Sequence, residues 1–215
     1  MPNISKPIVC LAPMDGFTDT AYRQIVRKLN AEVVLFSEFT SINGFEHSSS
    51  VRSRLNFDPA ELPYFVQIFG NEPELFAKTV RRLNDCGITG IDINMGCPSK
   101  KIVRSNTGGS LMKDRDLACR IVEACCKNTK LPVTVKTRLG WSDASQLTDF
   151  ALALADAGAQ MLSIHGRTYR QGYGGSADWS AIYELKPRVS VPIVGNGDVR
   201  GMEDGLRRMK NWTDL

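Results

Sequence analysis

Short runs of branched and apolar residues recur along the chain at Ile8–Ala12, Val33–Ser37, Tyr64–Phe69, Gly90–Asn94, Val133–Lys136, Met161–His165 and Pro192–Asn196. Most are nearly continuous in apolar side chains, the pattern of parallel strands covered on both faces. Between the runs, apolar residues return at helical spacing. Asn71-Glu72-Pro73-Glu74 reads as a capped helix start, followed by Phe76, Val80 and Leu83, with Gly87 as the stop. Leu117, Ile121, Ala124 and Cys125 form a second stripe, and Leu147, Ala151 and Leu154 a third.

Strands alternating with helices predict a parallel α/β fold, either an open doubly wound sheet or a barrel. A dinucleotide-binding sheet would place G-x-G-x-x-G after its first strand, where this chain has Ala12-Pro13-Met14-Asp15-Gly16. Polar residues instead close nearly every run: Glu38, Gln67, Asn94, Lys136, Arg138, His165 and Asn196. Convergence of polar groups at strand ends is what the catalytic mouth of a (β/α)8 TIM barrel requires. The expected fold is therefore a TIM barrel, and an incomplete one, with about seven β/α units and no eighth strand after the seventh helical pattern. No linker or low-complexity stretch divides the chain, so residues 1–215 are read as one domain.

Composition narrows the setting. Of 215 residues, 42% are hydrophobic and 23% charged, ordinary values for a globular protein. The longest apolar runs are strand-sized, so no membrane span is expected. The opening MPNISKPIVC lacks the features of a secretory signal, which points to the cytoplasm and to reduced thiols. Six cysteines without a C-x-x-C pair, and only two histidines, His47 and His165, argue against a zinc site or any other bound metal. Cys119, Cys125 and Cys126 sit in a helical stripe and are read as packing residues, while Cys10 and Cys86 are given no role. A net charge of +4 is compatible with an anionic partner.

Cys97 is different. In INMGCPSKK (93–101) an apolar run stops at a Gly-Cys-Pro turn, which puts a thiol where a buried strand ends. If the strand ends form a barrel mouth, Cys97 shares it with Gln67, Lys136, Arg138, His165 and the Asn196-Gly197-Asp198 turn.

These residues also carry a resemblance. LAPMDGFTD (11–19), VQIFG (66–70), IDINMGCPSKK (91–101), VKTRLGW (135–141), IHGRTYRQGY (164–173) and VGNGDV (194–199) resemble, in order and spacing, the tRNA-dihydrouridine synthases. Members of that family use a flavin to reduce uridines of tRNA. The resemblance implies FMN as cofactor, NADPH as its hydride donor, tRNA as partner and Cys97 as the proton donor to the base. An ordinary thiol, with a pKa of about 8.5, is largely protonated at neutral pH and suited to act as an acid. For cofactor binding, the resemblance points to Ala12, Pro13 and Met14 through the main chain, to Gln67, Lys136 and His165, and to the turn of Asn196, Gly197 and Asp198. That turn is read as opening a helix whose backbone N–H groups can take a phosphate.

Asn94 and Arg138 are expected to face the substrate. Lys100, Lys101 and Arg104 flank the cysteine loop, Arg167 and Arg170 the histidine loop, and each could hold RNA phosphates. Tyr173, in QGYGGSADW (171–179), offers a stacking face. The family's C-terminal helical domain, which grips tRNA, has no counterpart in the sequence, and oligomeric state is left open. Two alternatives stand beside this reading: an FMN enzyme reducing a free pyrimidine or another small molecule, and an inactive fragment without turnover.

Overall fold

The computed structural model describes residues 8–213. Its strands are β1 (Leu35–Phe36), β2 (Thr40–Ser41), β3 (Tyr64–Phe69), β4 (Gly90–Asn94), β5 (Val133–Arg138), β6 (Leu162–His165) and β7 (Ile193–Asn196). Every pairing is parallel, in the order β1-β3-β4-β5-β6-β7, with β2 also on β3. The main crossover helices are α4 (Pro73–Leu83), α6 (Arg115–Asn128), α7 (Leu147–Asp156), α8 (Ser180–Leu185) and α9 (Met202–Thr213). Helix α1 (Thr20–Leu29) precedes β1, α2 (Ile42–His47) and α3 (Ser49–Ser53) follow β2, and the short α5 (Lys100–Val103) follows the Cys97 turn.

Side chains alternate across each strand, so one face of the sheet meets the helices and the other faces inward. The outward residues, among them Leu35, Tyr64, Val66, Ile68, Ile91, Ile93, Val133, Val135, Leu162 and Ile164, form one core with the helices. A second, smaller cluster of Val34, Phe36, Phe65 and Met161 lies inside, with Ile8, Cys10 and Val194 against it. It joins the two ends of the sheet, which is therefore curled as in a TIM barrel. Gly90 makes room for this floor, since a Cβ there would lie 2.3 Å from the Phe65 ring.

The first expected strand is the main departure. Over Ile8–Ala12 only Cys10 bridges to Val34, with Leu11 N donating to Val34 O and Val34 N to Val9 O. Among the described residues nothing pairs with its other side, and a segment with one neighbour forms a shorter ladder. The expected strand at Val33–Ser37 is also broken. Ser37 Oγ takes a ladder position by accepting from Gln67 N at 2.9 Å, and pairing resumes at β2. Glu38 stands in this break, where it accepts from Gly16 N and pairs with Arg54. The α4 start has Pro73 in its first turn but no side-chain cap; Asn71 bonds Ser105 O instead.

Outside the barrel, one buried ion pair ties the chain's first helix to the segment before β3. Arg23 and Glu61 are both fully buried and meet at 2.5 Å. Arg23 also donates to Thr18 O and Asn56 O, and its guanidinium lies 4.6 Å from the centre of the Tyr64 ring. Glu61 accepts from Thr20 Oγ1 and Asp58 N as well. Removing one partner strands a buried charge. Arg23→Met is therefore expected to destabilise the fold by about 3–5 kcal/mol in urea unfolding, and adding Glu61→Gln is expected to recover part of that loss.

Candidate active site

The inward face changes character toward the carboxyl ends of the strands. Above the apolar floor stand Gln67 on β3, Asp92 and Asn94 on β4, Thr134, Lys136 and Arg138 on β5, Ser163 and His165 on β6, and Asn196 on β7. They share a face because they alternate with the outward core residues and because the ladder places Gln67 beside Asp92, Asn94 beside Lys136, and Arg138 beside His165.

Cys97 is held over this face by its backbone. Asn94 Oδ1 accepts from both Gly96 N at 3.1 Å and Cys97 N at 3.0 Å. Cys97 O in turn accepts from Gly109 N at 3.2 Å. Glycine is needed at 109, where a Cβ would come within 2.9 Å of that carbonyl. The Cys97 side chain is half-buried, and burial pushes its thiol pKa above the ordinary value, against smaller opposing influences from the Ser99 backbone, Arg138 and Lys136. The thiol is thus kept in its protonated form at neutral pH.

Lys136 is half-buried, and its Nζ donates to Asn196 Oδ1 at 3.2 Å. Burial pulls its pKa down to about 8, while the nearby Asp92 carboxylate pulls the other way. The remaining ammonium N–H groups have no protein acceptor among the described residues, so they can serve a carbonyl or an anion placed in the mouth. Gln67 is buried with its amide engaged on both sides: Nε2 donates to Asp92 Oδ2 at 2.6 Å and Oε1 accepts from Asn94 Nδ2 at 2.9 Å. His165 is also buried. Burial and the charges of Lys136, Arg138 and Arg167 drive its pKa down to about 3, so it is neutral. Arg167 Nη1 lies 3.4 Å from His165 Nε2, and an arginine can only donate, which leaves the imidazole proton on Nδ1.

Both arginines of this region serve the loops. Arg138 donates from Nε to Gly96 O at 2.8 Å and from Nη1 to Thr168 O at 3.1 Å and Gly172 O at 2.7 Å. Its guanidinium also lies 5.6 Å from the centre of the Tyr173 ring, which is itself exposed. Arg138 therefore reaches the mouth as part of its wall and has few donors left for a substrate. Arg167 is a correction to the expectation of a phosphate-holding surface residue. It is buried, bonds Gly174 O and Gly175 O, and makes a two-oxygen pair with Asp198 at 2.9 Å.

The Asn196-Gly197-Asp198 turn is corrected too. Helix α9 begins only at Met202, and the Asp198 carboxylate, at φ 53°, is taken by Arg167 and by Ala177 N at 2.7 Å. Gly197 has φ 115°, and a Cβ there would meet His165 at 2.8 Å, so the turn closes over the histidine. A carboxylate so placed would repel a phosphate. Ala12 and Pro13 are half-buried along the rim, and Met14 is exposed, its carbonyl accepting from Phe17 N and Thr18 N. Lys100, Arg104 and Arg170 are exposed, and the side chain of Lys101 lies outside those described. His47 is exposed and far along the chain, with Nδ1 against Asn43 O.

Asp92 and Thr134 were missed as site residues. The signal was present, since both lie two residues before an inward polar position, Asn94 and Lys136. Among the described residues no group of three or more metal-ligating side chains assembles, and no helix is long and apolar enough to cross a membrane.

Comparison with known proteins matches residues 10–213 to the family model described as dihydrouridine synthase (Dus). A probable tRNA-dihydrouridine synthase 1 of Synechocystis sp. is 38% identical, the alignment covering 92% of this chain and 56% of that protein. A probable tRNA-dihydrouridine synthase of Rhodobacter capsulatus is 41% identical over 94% of this chain and 63% of its own. The tRNA-dihydrouridine synthase B of Pseudomonas aeruginosa is 38% identical over 90% and 58%. The chain thus spans less than two thirds of the length of these relatives. Among solved structures, a morphinone reductase superposes with a TM-score of 0.60 at 11% identity, covering 96% of this chain and 79% of its own, a likeness of fold.

The neutral His165 has a consequence for stability. Its folded pKa of about 3 lies below the ordinary 6.5, so the unfolded chain takes up the proton first and stability falls as pH drops from 6.5 toward 3. Asp92, raised to about 6, acts in the opposite sense but equally with or without the imidazole. Thermal melts across this window should therefore show a smaller loss of Tm on acidification for His165→Gln than for the unmodified chain.

Proposed function

The chain belongs to the dihydrouridine synthase family, and on that footing we propose that residues 1–215 carry the catalytic domain of a flavin-dependent tRNA-dihydrouridine synthase. The proposed cofactor is FMN, with NADPH as its reductant, tRNA as the substrate and the cytoplasm as the place of action. The observation that carries this reading is a protonated, half-buried thiol fixed by its backbone at the mouth of a polar-lined barrel.

The residues suit a flavin. Among the described residues Lys136 has ammonium N–H groups without an acceptor; Asn196, which its Nζ reaches on β7, stands beside the neutral His165 on β6. When bound, FMN would supply a hydride to C6 of the uracil ring. Everything else falls to the chain. Cys97 gives its proton to C5 and is left as the thiolate, a state that the positive charges of Arg138 and Lys136 favour. Lys136 holds positive charge beside the electron-rich partner it binds, in a setting where burial strengthens the attraction. Asn94 has a second amide N–H free to meet a uracil carbonyl after donating to Gln67. Exposed Tyr173 supplies a ring face at the edge of the mouth, and Lys100, Arg104 and Arg170 supply charge for the RNA backbone.

Cys97→Ala tests the acid directly. Bleaching of the bound flavin by anaerobic NADPH should be unchanged, while reduction of uridine in tRNA falls by about a hundred- to ten-thousandfold, the span of a lost general acid. Equal loss of both half-reactions would overturn the role, and turnover of free uridine at the rate of tRNA would favour the small-molecule reading. Lys136→Met is expected to weaken flavin binding, seen as loss of the visible absorbance on gel filtration.

A further inference from the structure

Asp92 lies fully buried inside the barrel and has no part in the reaction as described. Its Oδ1 accepts from Thr134 Oγ1 at 2.5 Å and its Oδ2 from Gln67 Nε2 at 2.6 Å. Gln67 Oε1 accepts from Asn94 Nδ2 at 2.9 Å, and Asn94 Oδ1 accepts from the N–H groups of Gly96 and Cys97. The result is an unbroken line of hydrogen bonds from the middle of the barrel to the backbone of the cysteine.

The two ends of this line differ in kind. An ionised carboxylate only accepts, and backbone N–H groups only donate. Between such ends two amides have one arrangement. Gln67 must turn Nε2 to Asp92 and hence Oε1 to Asn94, and Asn94 must turn Oδ1 to the loop and hence Nδ2 to Gln67. Flipping either amide would set donor against donor or acceptor against acceptor, a heavy penalty in a buried place. Burial raises the Asp92 pKa to about 6, which still leaves it ionised at neutral pH.

We propose that Asp92 is a positioning residue, which orients the Gln67 and Asn94 amides toward the barrel mouth and through Asn94 holds the turn that carries Cys97. The proposal rests on the reading of Cys97 as proton donor, but it concerns the line that holds it. The charges that act on the Cys97 thiol are those of Arg138, Asp15 and Lys136, not that of Asp92. Asp92 does act on Lys136. A test must therefore change the hydrogen bonds while keeping a carboxylate inside the barrel.

A swap does so. Asp92→Asn alone removes the end that only accepts, so neither the Gln67 nor the Asn94 amide is held to one arrangement. Combined with Gln67→Glu, it moves the negative charge one strand over and restores every link. The new asparagine donates to the new glutamate, whose other oxygen still accepts from Asn94, and Thr134 keeps an oxygen to donate to. The readout is the rate at which iodoacetamide alkylates the peptide containing Cys97 in flavin-free protein, followed by mass spectrometry at several pH values, so it needs no turnover.

Asp92→Asn is expected to speed alkylation at neutral pH by about fivefold, the ratio corresponding to one ordinary net hydrogen bond, and the double variant to return to the unmodified rate. An unchanged rate in the single variant, or a double variant as fast as the single, overturns the proposal. A single variant that fails to fold beside a double that folds with the unmodified rate supports it. Loss of the Cys97 role in the tRNA assay would remove the catalytic reading and leave this result standing, so the two failures are separable.

Discussion

A side chain that points into a curled parallel sheet can be satisfied only by others that point the same way or, near the mouth, by the loops above it. Among the described residues no helix covers the inner face, and the floor of Val34, Phe36, Phe65 and Met161 closes it from below. Polar groups low in the barrel find partners on the next strand, and those at the mouth reach across the barrel or up into the loops. The parallel register sets both kinds: Asp92 stands between Gln67 and Thr134 and accepts from each, while Lys136 reaches past β6 to Asn196. The chemistry of the mouth is thus a product of strand register.

Electrostatics follows from the same crowding. Burial and three surrounding cations, Lys136, Arg138 and Arg167, hold His165 neutral, and burial lowers the pKa of Lys136 as well. Cys97 experiences opposing influences, with burial favouring the thiol and nearby cations favouring the thiolate. A proton on sulfur beside fixed positive charge is one that can be given away without stranding a bare anion.

Much of the fold was legible in the sequence because buried parallel strands are written as apolar runs. The runs from Tyr64 onward match β3 to β7 within two residues at either end. The first run reads like the others but forms only a bridge, because a ladder depends on neighbours that local sequence does not describe. The break at Ser37 was hidden for a similar reason: its hydroxyl stands in for a ladder partner, and serine is too common for that to register. At the site, residues closing the runs were visible as polar punctuation, and Cys97 stood out as a thiol in a turn. Asp92 did not stand out, since a single carboxylate within an apolar run resembles an irregularity, and only its place two residues before Asn94 marks it as inward-facing. Nor could the Arg167–Asp198 pair be seen, because its members come from loops after different strands and local charge spacing carries no trace of it.

Arg138 and Arg167 hold their loop almost wholly by its carbonyl oxygens, at Thr168, Gly172, Gly174 and Gly175. Every amino acid supplies a carbonyl. Gly172 and Gly175 aside, the path of the loop is thereby uncoupled from the identity of most of its side chains, and an exposed position such as Ser176 can change while the curve it rides on stays put. Two arginines fixed in the barrel wall thus give this rim a kind of interchangeable facing: lineages can re-cut what it presents to a bound molecule without rebuilding the frame behind it.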